Sequence, residues 1–139
     1  AYQKINTDFN FSIKIDSLYN VHQYAKAGLM IRKSLNSNSA HGLVNMFPSG
    51  NTEFGYRTSN GETMKAKSGP QISLTDARLK IKKSGKIVEF FVLSSNDWQK
   101  LGELNVSKWG KSFYVGIATL SHDNSQLTKA QYSEIVLTN

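Results

Sequence analysis

From Phe9 to Asp16 the chain alternates without a break. Phe9, Phe11, Ile13 and Ile15 fall on odd positions, with Asn10, Ser12, Lys14 and Asp16 between them. A period of two places the apolar set on one face of an extended strand and the polar set on the other, whereas a helix would scatter both around its circumference. The same period returns where Leu79 and Ile81 alternate with Arg78, Lys80 and Lys82. Ile87–Leu93 is denser and rich in β-branched and aromatic residues, the pattern of a strand covered on both faces. Phe113–Leu120 repeats that character, and Tyr132–Leu137 supplies a last strand.

Turn residues separate these runs at short spacing: Pro48-Ser49-Gly50-Asn51, Ser59-Asn60-Gly61, Ser68-Gly69-Pro70, Ser84-Gly85 and Ser95-Asn96-Asp97. Gly and Asn supply the positive φ that tight hairpins need. Many short strands joined this way predict an all-β sandwich or barrel. Ser17–Ala27 is too polar for more than a short turn of helix, Trp98 is expected to cap the core at a hairpin end, and 60–73 reads as a long loop or a weak edge strand. The 139 residues fit a single domain, taken as 1–139. With no Cys, disulfide scaffolds and thiolate metal sites are excluded. No apolar run approaches the ~18–20 residues that cross a bilayer as a helix.

Catalytic chemistry finds little to build on. The ten acidic residues are scattered singly, and no two sit at i, i+2 on one strand, where one face would present both. Of His22, His41 and His122, only His122 has an acidic neighbour, Asp123, and adjacent strand residues point to opposite faces. A non-enzyme is therefore expected, with no cofactor. Asn96-Asp97 and Asp123-Asn124 each offer two side-chain oxygens, too few alone for calcium, so a structural calcium would have to be assembled from distant loops.

Two strands are more suggestive. In Ala27–Arg32, Ala27, Leu29 and Ile31 share one face and Met30 and Arg32 the other; in Glu53–Arg57, Phe54 and Tyr56 oppose Glu53 and Arg57. If these strands are neighbours, Arg32, Arg57 and Glu53 converge on an outer sheet face, joined by His41 and Asn45 from the strand between. Such a face suits sugar hydroxyls or carboxylates, or is a solvated surface where Arg and Glu pair. Trp109, in a polar glycine-containing loop, is either a lid on the core or an exposed stacking platform, and Tyr19 and Tyr24 could line the same rim. The net charge of +7 suits anionic glycans, acidic membranes or nucleic acid, and also plain solubility. Lys80, Lys82, Lys83 and Lys86 surround one hairpin, but with no aromatic expected on the charged side a solvated strand explains them better than nucleic-acid binding.

Several strings, in order, resemble a family of bacterial concanavalin A-like (laminin-G-like) modules. They are Ala25–Leu35 with Ser39-Ala40-His41, Phe54-Gly55-Tyr56-Arg57, Arg78-Leu79-Lys80-Ile81 with Ser84-Gly85, Trp98, Tyr114–Ala118, Ser121-His122 and Ala130–Ile135. The resemblance spans roughly the whole chain and implies a two-sheet jelly roll. It implies a carbohydrate-binding module, extracellular or on the cell surface, appended to a secreted polysaccharide-degrading enzyme or surface protein. Its partners would be a polysaccharide and neighbouring domains, with neither nucleic acid nor membrane insertion. It places Arg32 and Arg57 toward the concave face as ligand contacts. It also implies further residues before Tyr2, an altered turn where Ser94-Ser95-Asn96-Asp97 lacks Asp-Gly, and a role for Trp109, where the family has no Trp, in ligand choice. A structural or protein-interaction spacer is the alternative, ahead of a polysaccharide-active enzyme.

Overall fold

The computed structural model describes residues 2–19, 24–120 and 129–139. Eleven strands run in chain order: β1 Tyr2–Ile5, β2 Phe9–Leu18, β3 Lys26–Arg32, β4 His41–Met46, β5 Thr52–Arg57, β6 Lys65–Ser68, β7 Ala77–Ser84, β8 Ile87–Ser94, β9 Asp97–Asn105, β10 Phe113–Leu120 and β11 Ala130–Thr138. Every pairing is antiparallel. One sheet has six strands in the order β1-β10-β3-β4-β5-β6, the other five in the order β11-β2-β7-β8-β9. The two pack face to face as an antiparallel sandwich of concanavalin A-like jelly-roll type.

The alternation in the sequence is what closes the sandwich. Ile13, Ile15, Leu79, Ile81, Val88, Phe90 and Val92 point inward from the five-stranded sheet and meet Leu29, Ile31, Val44, Phe54 and Val115 from the other. Phe54 and Phe90 touch across the layers with ring centroids 4.5 Å apart. Burying such side chains contributes roughly 1.5–3 kcal/mol apiece relative to exposure.

Two expectations are corrected, on Trp98 and on β8. Trp98 does not cap the core; it is 39 % exposed on the outer face of the five-stranded sheet. β8 is covered by the opposite sheet on one face only, and its outward residues Ile87, Glu89, Phe91 and Leu93 are half-buried by their neighbours. The strand buried on both faces is β4, each of whose six residues is buried. No helix forms in the described part of 17–27, because β2 continues through Leu18. The edge strand in 60–73 is present as β6, fully exposed.

Candidate ligand face of the six-stranded sheet

Pairing of β3 with β4 and of β4 with β5 sets the outward residues in transverse rows. Arg32 lies opposite His41, and His41 opposite Arg57. Met30, Leu43 and Gly55 form the next row, and Gly28, Asn45 and Glu53 the one after. The five residues expected to converge do share one face. They fall at its two ends, because Glu53 and Arg57 are four strand residues apart, roughly 13 Å. Glu53 accordingly pairs with Lys26 (3.2 Å) and not with an arginine.

At the first end the guanidiniums are occupied by backbone. Arg32 donates from Nε to the Ser34 carbonyl at 3.0 Å and from Nη2 to that of Asn36 at 2.6 Å. Arg57 donates from Nε to the Glu62 carbonyl at 2.7 Å and from Nη1 to those of Ser37 and Ser39. These charge-assisted bonds fix the loops 33–40 and 58–64. His41, 7 % exposed, lies between the two arginines with Nδ1 3.1 Å from the Ser39 carbonyl. A carbonyl can only accept, so the neutral ring carries its proton on Nδ1. Burial pushes the His41 pKa below its ordinary value; the Ser39 bond opposes this, and the charges of Arg32 and Arg57 reinforce it.

Trp109 is corrected as a stacking platform. It is 5 % exposed, packs on Phe113 at 6.2 Å and donates from Nε1 to the Thr58 carbonyl at 3.1 Å. Its ring is the lid on the core, not a surface for a ligand.

The second end opens into a cleft of about 950 Å³ lined by Tyr24, Lys26, Phe47, Asn51, Glu53 and Ser68, among others. Tyr24 meets Phe47 edge to face, with centroids 6.0 Å apart and planes at 80°. The Lys26 ammonium stands 5.7 Å from the Phe47 centroid while it pairs with Glu53. One wall is the β4–β5 turn, closed by Phe47 N–H to the Asn51 carbonyl and Gly50 N–H to the Phe47 carbonyl. The opposite wall is Ser68 at the end of β6 and Gly69 after it, and Thr52 Oγ1 of β5 donates to the next carbonyl, that of Pro70. Beside Glu53 in the register, Asn45 is fully buried, and neither its Oδ1 nor its Nδ2 has a hydrogen-bond partner. A buried, unpartnered amide is costly, and sites of that kind concentrate where something binds.

Of the residues expected at a site, Tyr24 and Glu53 line the cleft and Asn45 lies next to it. Arg32, His41 and Arg57 lie at the far end. Tyr19 is exposed just past β2, where its N–H bonds the Lys129 carbonyl, away from the cleft lining. Lys26, Phe47, Asn51 and Ser68 escaped sequence reasoning. Phe47-Pro48-Ser49-Gly50-Asn51 was legible as a turn, but the hairpin pairing that turns Phe47 toward Tyr24 depends on both flanking strands.

His22, His122, Asp123 and Asn124 lie outside the described residues, and with them part of the calcium expectation; no group of three or more His, Cys, Asp or Glu that could hold a metal occurs among the described residues. Two carboxylates, Glu89 and Glu103, do face each other across β8 and β9. Lys100 bridges both on an open surface, which leaves them an ion-pair triad without a cleft. Among the described residues, no helix is long and apolar enough to cross a membrane.

No protein-family model and no curated protein sequence matches the chain. Solved structures do. A functionally unknown protein from Saccharomyces cerevisiae superposes with a TM-score of 0.73 at 13% identity, over 99% of this chain and 72% of that one. The carbohydrate-binding module CBM66 from Bacillus subtilis gives 0.54 at 14%, covering 100% of this chain and 78% of its own. Sheep galectin-11, solved in complex with glycerol, gives 0.52 at 10%, covering 94% and 96%. At these identities the likeness is one of fold, that of a two-sheet antiparallel jelly-roll sandwich.

Proposed function

We propose that this chain is a non-catalytic carbohydrate-binding module that holds a larger extracellular bacterial protein against a polysaccharide, and that sugar enters the cleft between Tyr24, Phe47 and Glu53. The observation that carries the reading is the composition of that cleft. An aromatic wall stands beside a carboxylate–ammonium pair whose charges cancel, which matches the apolar faces and the hydroxyls of a neutral pyranose. The Asn45 amide, buried and unpartnered, sits beside Glu53 in the register. The named carbohydrate-binding module and the galectin among the structural neighbours support the same use of the fold. Arg32 and Arg57 act here as positioning residues, since their donors hold loops. An open, wet site of this kind binds in the micromolar to millimolar range, roughly −8 to −4 kcal/mol.

Native affinity electrophoresis against neutral polysaccharides (xylan, mannan, β-glucan, arabinan) tests it. Wild type is retarded by one class, and retardation survives moderate salt. Glu53→Gln and Tyr24→Ala each weaken it by about tenfold, the scale of a lost charge-assisted hydrogen bond or a stacking contact. No retardation on any neutral polymer overturns the reading in favour of a spacer. Release of reducing ends by wild type would make the chain an enzyme.

A further inference from the structure

The outer face of the five-stranded sheet, in the opposite layer, carries an arrangement that alternation alone hid. Lys80 on β7 faces Phe91 on β8 in the register, and Trp98 on β9 pairs with Leu93 nearby. The Lys80 ammonium stands 4.6 Å from the Phe91 centroid and 4.4 Å from that of Trp98. Aromatic rings thus do lie on the charged side of the hairpin, contrary to the sequence reading. They come from β8 and β9, strands whose register with β7 is a tertiary fact. Trp98 keeps 39 % of its surface open.

The charges on this face are unevenly matched. Arg78 is held by Asp76 and Glu134, and Lys100 by Glu89 and Glu103. Lys14, Lys80 and Lys82 have no ion-pair partner among the described residues. Partial burial holds the Lys80 ammonium below its ordinary pKa, the neighbouring Lys82 charge adds to this and Glu89 opposes it. An anion arriving here relieves a strained cation.

We infer that this face binds an acidic polysaccharide, a polyuronate whose sugar ring stacks on Trp98 and whose carboxylates lie against Lys80 and Lys82. Ser12 and Asn10, opposite those lysines on β2, offer partners to ring hydroxyls. A nucleic acid fits less well. Phosphate recognition favours arginine forks, and the arginine of this surface, Arg78, is committed to two carboxylates. Single-stranded nucleic acid also needs successive stacking rings, whereas Phe91 is half-buried and leaves Trp98 as the open one. The site is separate from the cleft, so the two readings stand or fall independently.

The probe is sodium polygalacturonate, titrated onto the full chain in low and moderate salt. Wild type binds. Trp98→Ala weakens binding by about tenfold, the usual scale for a lost stacking ring. Lys80→Ala with Lys82→Ala weakens it comparably and flattens its dependence on salt. Glu53→Gln leaves it unchanged. A second measurement leaves the face intact: in Trp109→Phe, where Trp98 is the remaining indole, fluorescence shifts as polygalacturonate is added. The proposal is overturned by absence of wild-type binding, by equal affinity in Trp98→Ala, by loss in Glu53→Gln, or by preference for a single-stranded oligonucleotide with the same dependence on Trp98. Loss of neutral-glycan retention in cleft variants with polygalacturonate binding intact would separate the two sites.

Discussion

A Cβ on Gly42 would overlap Cζ of Phe90 in the opposite sheet and stand 2.9 Å from Cδ1 of Leu104. The relationship is reciprocal: a Cβ on Gly102 of the five-stranded sheet would lie 2.5 Å from Cδ2 of Phe54. Each ring thus occupies the space above a glycine of the facing sheet, and the two rings meet between them. Neither phenylalanine can retreat, because both are almost completely buried in a close-packed interior. Gly42→Ala therefore destabilises the fold by about 1–3 kcal/mol, the cost of overpacking a well-filled core. Urea unfolding should show a lowered midpoint at unchanged slope, and an unchanged midpoint would mean that the sheets can part at no cost.

Trp109 links the 106–110 loop to Thr58, so its predicted phenotype is structural. Trp109→Ala removes a large buried ring and costs about 3–5 kcal/mol. Trp109→Phe keeps most of the packing but strands the Thr58 carbonyl, costing about 1–3 kcal/mol. Neutral-polysaccharide retention by the folded Phe variant matches wild type, because the cleft lies at the other end of the face. Weakened retention at temperatures where this variant is fully folded would return Trp109 to the ligand site.

His41 makes stability depend on pH in a window set by its neutral folded form. Its pKa is lowered by burial and by Arg32 and Arg57. Between the folded and unfolded values the unfolded chain binds more protons, so stability falls as pH falls. The contribution is complete above the unfolded value of about 6.5 and is lost progressively below it. Asp8, held low first by Lys83 and then by the Gly85 N–H, acts only in the more acidic carboxylate range. Denaturant midpoints measured from pH 7.5 down to 5 should drop more steeply in wild type than in His41→Gln. Parallel slopes would show that His41 protonates without strain.

What the sequence made legible is what alternation and turn chemistry encode locally. β2, β7, β8, β10 and β11 were each found from their own residues, to within a few positions at either end. The Ser95-Asn96 turn was expected to be altered for want of Asp-Gly; instead both non-glycine residues stand at positive φ, 53° and 69°, as the type I′ turn favoured by Asp-Gly also requires. The common face of Arg32, His41, Asn45, Glu53 and Arg57 followed from strand parity once β3, β4 and β5 were neighbours. What stayed hidden depends on partners distant in sequence. The carbonyls that occupy Arg32 and Arg57 belong to loops with no pattern of their own. The burial of Trp109 depends on Thr58, 51 residues away, and the exposure of Trp98 on the end of a sheet whose order no single strand reveals.

Asn45 tests whether the cleft is built for binding at some expense of stability. Its amide is buried with neither polar atom partnered, beside a carboxylate that lines the cleft. Replacing such a group by an apolar side chain of similar shape removes a desolvation penalty of about 1–3 kcal/mol while retaining the packing. Asn45→Leu is therefore expected to raise the urea midpoint. If the amide serves the sugar, the same variant loses neutral-polysaccharide retention, so that stability and binding move in opposite directions. A variant that is both more stable and fully retentive would assign the ligand contacts to Glu53 and the aromatic wall alone. A less stable variant would mean that the amide finds partners in solution and contributes to the fold.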